Sequence, residues 1–325
     1  MNNAVSRIGV LTSGGDAPGM NAAIRAVVRT CVYRGIECVG IRRGWNGLIN
    51  GDIVKMDADS VNHIISAGGT ILYTARSQEF MTDAGQQKAA DICKLLGLDG
   101  IVAIGGDGTF RGALALSKHG ISVVGIPATI DNDIVCTDYA LGYDTAANTA
   151  VEAIDRLRDT MQSHERCSVV EVMGRNAGHL ALYVGLAVGA TAVLVPEKPL
   201  DFERDVVEKI RTARLNGKTH YMIVVAEGVA SGLEIGNKIK ETIALDPRVT
   251  VLGHIQRGGT PSARDRVMAT RMGYQAVVTL AEGKTNRLVC TVRGVLKDVD
   301  IAEGLAMKKE LSSQQYEVLE AMTAG

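Results

Sequence analysis

The 325-residue chain is 46% hydrophobic and 22% charged, enough to bury a large core and to divide into two domains. Its formal net charge of −1 supplies no basic footprint for nucleic acid or for an anionic membrane. The longest apolar stretch, Leu180 to Val195, is too short for a membrane span, and the N-terminal apolar run is too short for a signal peptide.

In chain order, "RIGVLT" predicts a strand and "PGMNAAIRAVVRTCVYRG" a helix, with "IECVGI" as the next strand. The helix "DAGQQKAADICKLLGL" leads to the strand "GIVAIGG", and the β-branched run Ile121–Ile126 gives another strand. The same rhythm continues through the helix "AANTAVEAIDRLRDTMQSH", the strand "CSVVEVM", a helix near 177–188 and the strand "TAVLVP". A helix over 202–215, the strand "YMIVVAE" and a last helix over 298–322 complete the reading. Alternating strands and helices predict two Rossmann-like α/β lobes, with mainly parallel sheets flanked by helices and the active site in the cleft between them. No repeat, low-complexity tract or linker interrupts the chain, so it is expected to cross between lobes more than once. Six cysteines (31, 38, 93, 136, 167 and 290) form no Cys-x-x-Cys pair and read as reduced, buried thiols of a cytoplasmic protein.

Ligands in such sheets bind beyond the carboxyl ends of the strands. Two glycine-rich turns fall there, "LTSGGDAPGMN" and "AIGGDGTFRG". Glycines let a phosphate approach the backbone, and the helix N-terminus that follows favours an anion. Neither turn is a dinucleotide fingerprint, because Arg111 stands at the third glycine position, and "NGKT" at 216–219 is no P-loop. Asp107, held among glycines, suits Mg²⁺ shared with phosphate oxygens. The segment "IPATIDNDIVCTDYALGYDT" crowds Asp131, Asp133, Asp138 and Asp144 at one strand exit. Neighbouring acids raise one another's proton affinity, which suits a general base. Asp138 and Asp144 read as structural, Asp144 as a helix cap. Arg166, Arg175, Arg248, His254 and Arg257 surround two further strand termini, and arginine forks match phosphate oxygens. The residues therefore point to a small-molecule kinase.

Taken together, "GGDAPGMNAA", "GGDGT", "TIDND", "EAIDRLRDT", "VEVMGR" and "VLGHIQRGG" resemble the bacterial-type ATP-dependent 6-phosphofructokinases, over roughly Arg7 to Leu280. The resemblance implies an ATP/Mg²⁺ lobe over 1–142 plus about 255–305, and a fructose 6-phosphate lobe over 143–254 plus about 306–325. It implies that Asp131 takes the proton from the sugar 1-hydroxyl, with Thr129 beside the transfer and Asp133 supporting base and metal. Arg175 and Gly15 would serve the transferring group, and Asp107 would hold Mg²⁺. Gly15, Trp45, Arg76, Ser77, Gly106, Asp107, Gly108 and Thr109 would line the ATP site, with Ser77 departing from the family's usual aromatic residue. Thr129, Ile130, Asp131, Met173, Gly174, Arg175, Glu227, His254, Ile255, Gln256 and Arg257 would contact the sugar phosphate. Arg166 and Arg248 would reach in from a neighbouring subunit, which implies a homotetramer.

The pyrophosphate-dependent relatives carry an acid and a lysine where this chain has Gly108 and Ala128, so ATP is the expected donor. A pyrophosphate enzyme remains the alternative, and so does a non-catalytic effector-binding subunit, although the latter would lose the base. A dehydrogenase would leave the arginines idle. The resemblance also implies an effector pocket for ADP and phosphoenolpyruvate, lined by Arg25, Arg29, Arg158, Gly189, Lys218 and His220. Three of its expected charged groups are replaced by Ala58, Thr191 and Asn216, so effector control is expected to be weak.

Overall fold

A computed structural model describes residues 5–307 and 309–323. The strands in chain order are β1 (Arg7–Ser13), β2 (Glu37–Ile41), β3 (Ile53–Met56), β4 (Gly100–Gly105), β5 (Val123–Pro127) and β6 (Cys167–Val172). They continue with β7 (Ala192–Leu194), β8 (Tyr221–Ala226), β9 (Arg248–Val251), β10 (Arg287–Val292) and β11 (Val295–Asp300). The helices are α1 (Met20–Arg34), α2 (Gly44–Asn50), α3 (Asp83–Leu95), α4 (Asp107–Ser117), α5 (Tyr143–His164) and α6 (His179–Val188). After them come α7 (Glu208–Leu215), α8 (Gly232–Ile243), α9 (Ala263–Ala281), α10 (Ile301–Ala306) and α11 (Ser313–Thr323).

The chain divides into two units: Met1–Thr129, Ile134–Thr145 and Arg257–Lys309 form the first, and Ile130–Asp133, Ala146–Gln256 and Glu310–Gly325 the second. The first holds a seven-stranded sheet in the order β11-β10-β5-β4-β1-β2-β3, and the second a four-stranded sheet in the order β7-β8-β6-β9. Strands β1, β2, β4 and β5 pair in parallel, as do all four strands of the second sheet. Only the two edges of the larger sheet, β3 and β11, are antiparallel. The central strands read as continuous apolar runs because helices cover both faces. In β4 every residue is buried. Among the described residues, no helix is long and apolar enough to cross a membrane. Leu180–Val195 instead folds as α6 leading into β7, as the sequence suggests.

One expectation fails at the C-terminus. Residues 298–322 are not one helix. Asp298–Asp300 completes β11, which pairs with β10 through a turn where Arg293 and Gly294 have φ of 53° and 75°. Two consecutive positive φ values are what a tight hairpin demands. The Asp300 side chain then caps α10, accepting hydrogen bonds from the Ala302 and Glu303 amides. Met307 leaves the helix in an extended conformation, and the chain becomes helical again only at Ser313. A strand-ending aspartate that doubles as a helix cap is easily read as an early helical residue.

A second feature was not legible in the sequence. Asp265, in the first turn of α9, has no exposed surface. Its Oδ1 accepts from Tyr139 Oη at 2.5 Å and the Gly142 amide at 2.7 Å, and its Oδ2 from the Thr145 amide and hydroxyl at 3.0 and 2.5 Å. Burial pushes the carboxyl up from its ordinary value, and these four donors oppose that push. Ser262 Oγ accepts from the Asp265 amide at 3.2 Å and donates to Asp144 Oδ2 at 2.6 Å. Asp144 thus belongs to the first turn of α5 and anchors Ser262, rather than acting as the cap residue. One buried carboxylate ties residues 139–145, the last part of the acidic segment, to α9. Charged hydrogen bonds of this kind contribute about 1.5–3 kcal/mol each.

Candidate active site

The first unit aligns three strand exits. Ser13 at the end of β1 is in register with Gly105 at the end of β4, and Gly105 with Pro127 at the end of β5. The Ala128 amide donates to the Gly105 carbonyl at 2.9 Å. Hence the turn Gly14–Asp16, the turn Gly106–Thr109 and Thr129 leave the sheet side by side. A Cβ on Gly105 would stand 2.3 Å from both the Ser13 carbonyl oxygen and Thr109 Oγ1, so only glycine fits there. Buried Thr109 donates from Oγ1 to the Ser13 carbonyl at 3.0 Å, holding the two turns together. Thr74 Oγ1 donates to the Gly14 carbonyl at 2.7 Å and brings the loop carrying Arg76 against the same turn.

Asp107 opens α4, with Gly106 preceding it in an extended conformation. Apart from their chain neighbours and the helix's own backbone, nothing lies within 4 Å of where a Cβ would stand on Gly106 or Gly108. That open backbone at the N-terminus of an eleven-residue helix is a place for an anion. The Asp107 carboxylate is 42% exposed and faces only a loose ion pair with Arg111 at 3.6 Å. Arg257 groups with this unit: its Nη1 donates to the Asp16 carbonyl at 3.3 Å, and a Cβ on Gly15 would meet that atom at 2.5 Å. The guanidinium therefore lies directly over the first glycine turn. Trp45 is 5% exposed and stacks on Phe80, centroids 4.8 Å apart, so its ring belongs to the core and presents almost no surface to a ligand. Ser77 Oγ accepts from the Phe80 amide at 3.2 Å and shapes the same short turn.

The second unit builds a different kind of site. Ile130–Asp133 belong to it, with Asp131 6% exposed and Asn132 in the left-handed region at φ 49°. Beyond the carboxyl end of β6, Gly174 and Arg175 turn sharply, with φ of 151° and 57°. A non-glycine residue held there costs on the order of 1–3 kcal/mol, so the surroundings must enforce it. Glu227, beyond the neighbouring strand β8, accepts on Oε1 from the Gly174 and Arg175 amides at 3.2 and 2.7 Å. Gln256, beyond β9, accepts on Oε1 from the Met173 amide at 2.9 Å. Its Nε2 is buried without a hydrogen-bond partner. Three strand exits thus converge on the Met173–Arg175 turn, and a buried amide donor is left for a ligand oxygen. His254 and Ile255 lie on the same short helical turn as Gln256, and Ile255 is 59% exposed.

Arg166 and Arg248 lie elsewhere. Ser168 of β6 is in register with Arg248 at the start of β9, so both arginines stand at the amino end of the sheet. Arg166 directly precedes β6, so the two share this edge, where Lys240 pairs with Asp246 at 2.9 Å and holds its carboxyl below its usual range. The six residues of β6 separate this edge from the Met173–Arg175 turn, about 20 Å at 3.3 Å per residue. An arginine side chain covers well under half of that distance. Lys218 and His220 precede β8 at this same edge. Arg158 donates to the Val188 carbonyl beside Gly189, and Thr191 Oγ1 accepts from the Met222 amide at 3.2 Å. Arg25 and Arg29 share a face of α1 in the first unit, where Arg29 donates to Asn62 at 2.7 Å.

Comparison with known proteins supports what the two glycine turns and the Met173–Arg175 turn suggest. The phosphofructokinase family profile matches residues 7–280. The chain is 53% identical over 96% of its length to an ATP-dependent 6-phosphofructokinase of Clostridium botulinum, covering 97% of that protein. It is 52% identical over 98% of its length to an ATP-dependent 6-phosphofructokinase 1 of Clostridium perfringens, covering 99%. A phosphofructokinase structure from Saccharomyces cerevisiae superposes over 98% of the chain with a TM-score of 0.91 at 31% identity. The chain spans half the length of that yeast polypeptide. A pyrophosphate-dependent phosphofructokinase from Marinobacter aquaeolei shares the fold, at a TM-score of 0.86 and 20% identity over 99% of this chain and 92% of its own. This chain belongs to the phosphofructokinase family.

Proposed function

We propose that the chain is an ATP-dependent 6-phosphofructokinase, passing the γ-phosphoryl group of ATP to the 1-hydroxyl of fructose 6-phosphate. The observation that carries this reading is the pair of open glycines, Gly106 and Gly108, flanking Asp107 at the start of α4. Backbone amides there receive phosphate oxygens, and the half-exposed carboxylate stands among them. A lone carboxylate plus phosphate oxygens is the donor set Mg²⁺ takes, so Asp107 fits that ion. Mg²⁺, when bound, neutralises charge on the β- and γ-phosphate oxygens.

The rest falls to the chain's own residues. Gly15 and Arg76 bound the nucleotide side, and Thr109 keeps the two phosphate turns in register. Asp131 takes the proton of the attacking hydroxyl, and Asp133 and Thr129 orient it. Arg175, placed by its enforced left-handed turn, carries positive charge to the transferring group. Catalysis of this kind is largely positioning and electrostatics. Glu227 and Gln256 fix the Met173–Gly174 backbone, with Gln256 Nε2 and His254 facing the sugar phosphate.

Gly108 decides the donor. An acid there would set a charge against the α-phosphate of ATP, and its absence leaves the space open. Ala128 is 1% exposed, its methyl packed into the unit. The test is a coupled assay with fructose 6-phosphate and either ATP or pyrophosphate. Turnover with ATP alone is expected, and turnover with pyrophosphate alone would overturn the reading.

Effector control is the second part of the proposal. Arg158, Lys218 and His220 remain at the amino edge of the smaller sheet, but Ala58, Thr191 and Asn216 supply no charge. Each lost charged contact removes about 1–3 kcal/mol, about fivefold or more in affinity. Fructose 6-phosphate saturation curves are therefore expected to move little with micromolar ADP or phosphoenolpyruvate. A large shift at that concentration would show that other groups replace the missing three.

A further inference from the structure

Two thiols outside the proposed site face each other in the first unit. Cys136 Sγ lies 3.3 Å from Cys290 Sγ. Cys136 is three residues beyond Asp133, and Cys290 is on β10. The backbone holds them opposed. The Thr291 amide donates to Thr137 Oγ1 at 3.0 Å, the Asp138 amide donates to the Thr291 carbonyl at 2.8 Å, and the Arg293 amide donates to Asp138 Oδ2. Lys309 Nζ donates to the Thr137 carbonyl at 3.1 Å. Gly304 of α10 closes the remaining side, where a Cβ would come within 3.1 Å of Cys136 Sγ. Cys136 keeps 6% of its surface accessible and Cys290 none, so a small oxidant meets Cys136 first.

We infer that Cys136 and Cys290 are a redox modification site, closed by hydroperoxides into an intramolecular disulfide that lowers turnover and reopened by thiols. The Cys136 thiol gives up its proton, its thiolate attacks one peroxide oxygen to form a sulfenic acid as the O–O bond breaks, and the departing hydroxide takes up that proton as the first water. The Cys290 thiol then displaces the sulfenic hydroxyl, which leaves as water with the Cys290 proton. Two sulfurs lose two electrons, and one H₂O₂ becomes two waters. A dithiol reverses the bond by exchange through a mixed disulfide.

The other cysteines are less open to an oxidant: Cys31 and Cys38 also share a hydrogen bond but are 0% and 2% exposed, and Cys93 and Cys167 have no exposed surface. Burial pushes Cys93 and Cys167 up to about 12, and the hydrogen bond with Cys31 pushes Cys38 well above its ordinary value. The hydrogen bond from Cys290 works the other way on Cys136 and holds its thiol below the ordinary value. Closing the bond requires the sulfurs to approach by about 1.2 Å, to the disulfide length of about 2.05 Å. The chain between Cys136 and Asp133 is two residues long, so a shift of Cys136 is expected to reach Asp133. A displacement of about 1 Å at a reacting group costs up to about 10²-fold in rate. This activity arm rests on the kinase reading above.

The experiment treats reduced enzyme with hydrogen peroxide, blocks remaining thiols by alkylation, and maps peptides without reduction. The expected result is one joined peptide pair, Cys136 with Cys290, and loss of two of the six thiols. Turnover with ATP and fructose 6-phosphate is expected to fall tenfold or more and to return with dithiothreitol. Cys136→Ser and Cys290→Ser are expected to keep turnover, form no joined peptide and resist peroxide, and Cys136→Ala serves if the buried hydroxyl impairs folding. A different cysteine pair, irreversible oxidation of Cys136 without the link, or a complete link with unchanged turnover would overturn the inference. The peptide map reads the bond in any case, and turnover of the reduced enzyme shows beforehand whether the kinase reading has failed.

Discussion

Asp131→Asn is expected to lower kcat by about 10²–10⁴-fold, the usual worth of a general base. An amide keeps the shape of the carboxylate but cannot accept the hydroxyl proton. Asp131 is 6% exposed and sits in a turn whose next residue, Asn132, is held at φ 49°, so an isosteric change leaves the backbone its reasons to stay. KM for both substrates should then change far less than kcat, the pattern of an interaction made only in the transition state. Steady-state kinetics and a thermal melt on the same preparation decide the matter. A variant that melts normally and turns over at near the parent rate would remove Asp131 from the role of base. A variant that melts well below the parent would show a structural role, and Asp131→Glu would then test position against charge.

The fold was largely legible because burial writes it plainly. Strands β1, β4, β5, β6 and β8 are apolar runs with β-branched residues, and helices with one apolar face separate them. The glycine turns were legible for the same kind of reason: Gly105 can carry no side chain, and Gly106 and Gly108 are left bare where a charged turn is expected. What escaped the sequence depends on partners distant along the chain. Asp265 is flanked by Arg264 and Arg266 and looks like a solvated helix start, yet its acceptors are filled from residues 139–145. The resemblance places Trp45 among the residues lining the ATP site, and its ring stacks on Phe80, thirty-five positions away. Glu227, expected at the sugar, also spends Oε1 on the Gly174 and Arg175 amides, and no local pattern announces that. The hairpin of β10 and β11 was missed because its turn carries Arg293 rather than Asn or Asp ahead of the glycine.

Arg248 supplies the second large effect, and it follows from the register of one sheet. Arg248 stands beside Ser168 at the amino edge of the sheet that carries Met173–Arg175 at its carboxyl edge. No rotamer brings it to the turn in its own subunit, so any grip on the sugar phosphate must be made in another copy of the chain. Arg248→Ala removes charge-assisted hydrogen bonds worth about 1.5–3 kcal/mol each, raising KM for fructose 6-phosphate tenfold or more while KM for ATP stays nearly constant. Equal effects on both substrates would point instead to folding or assembly. Mixing sharpens the test. Asp131→Asn and Arg248→Ala, each impaired alone, are unfolded together, refolded and assayed at low fructose 6-phosphate. If one site takes Asp131 from one subunit and Arg248 from another, random assembly makes about a quarter of the sites intact. Activity should then rise well above the sum of the two variants handled separately. If both residues serve a site within one chain, no intact site can form, activity stays at that sum, and the shared site is ruled out.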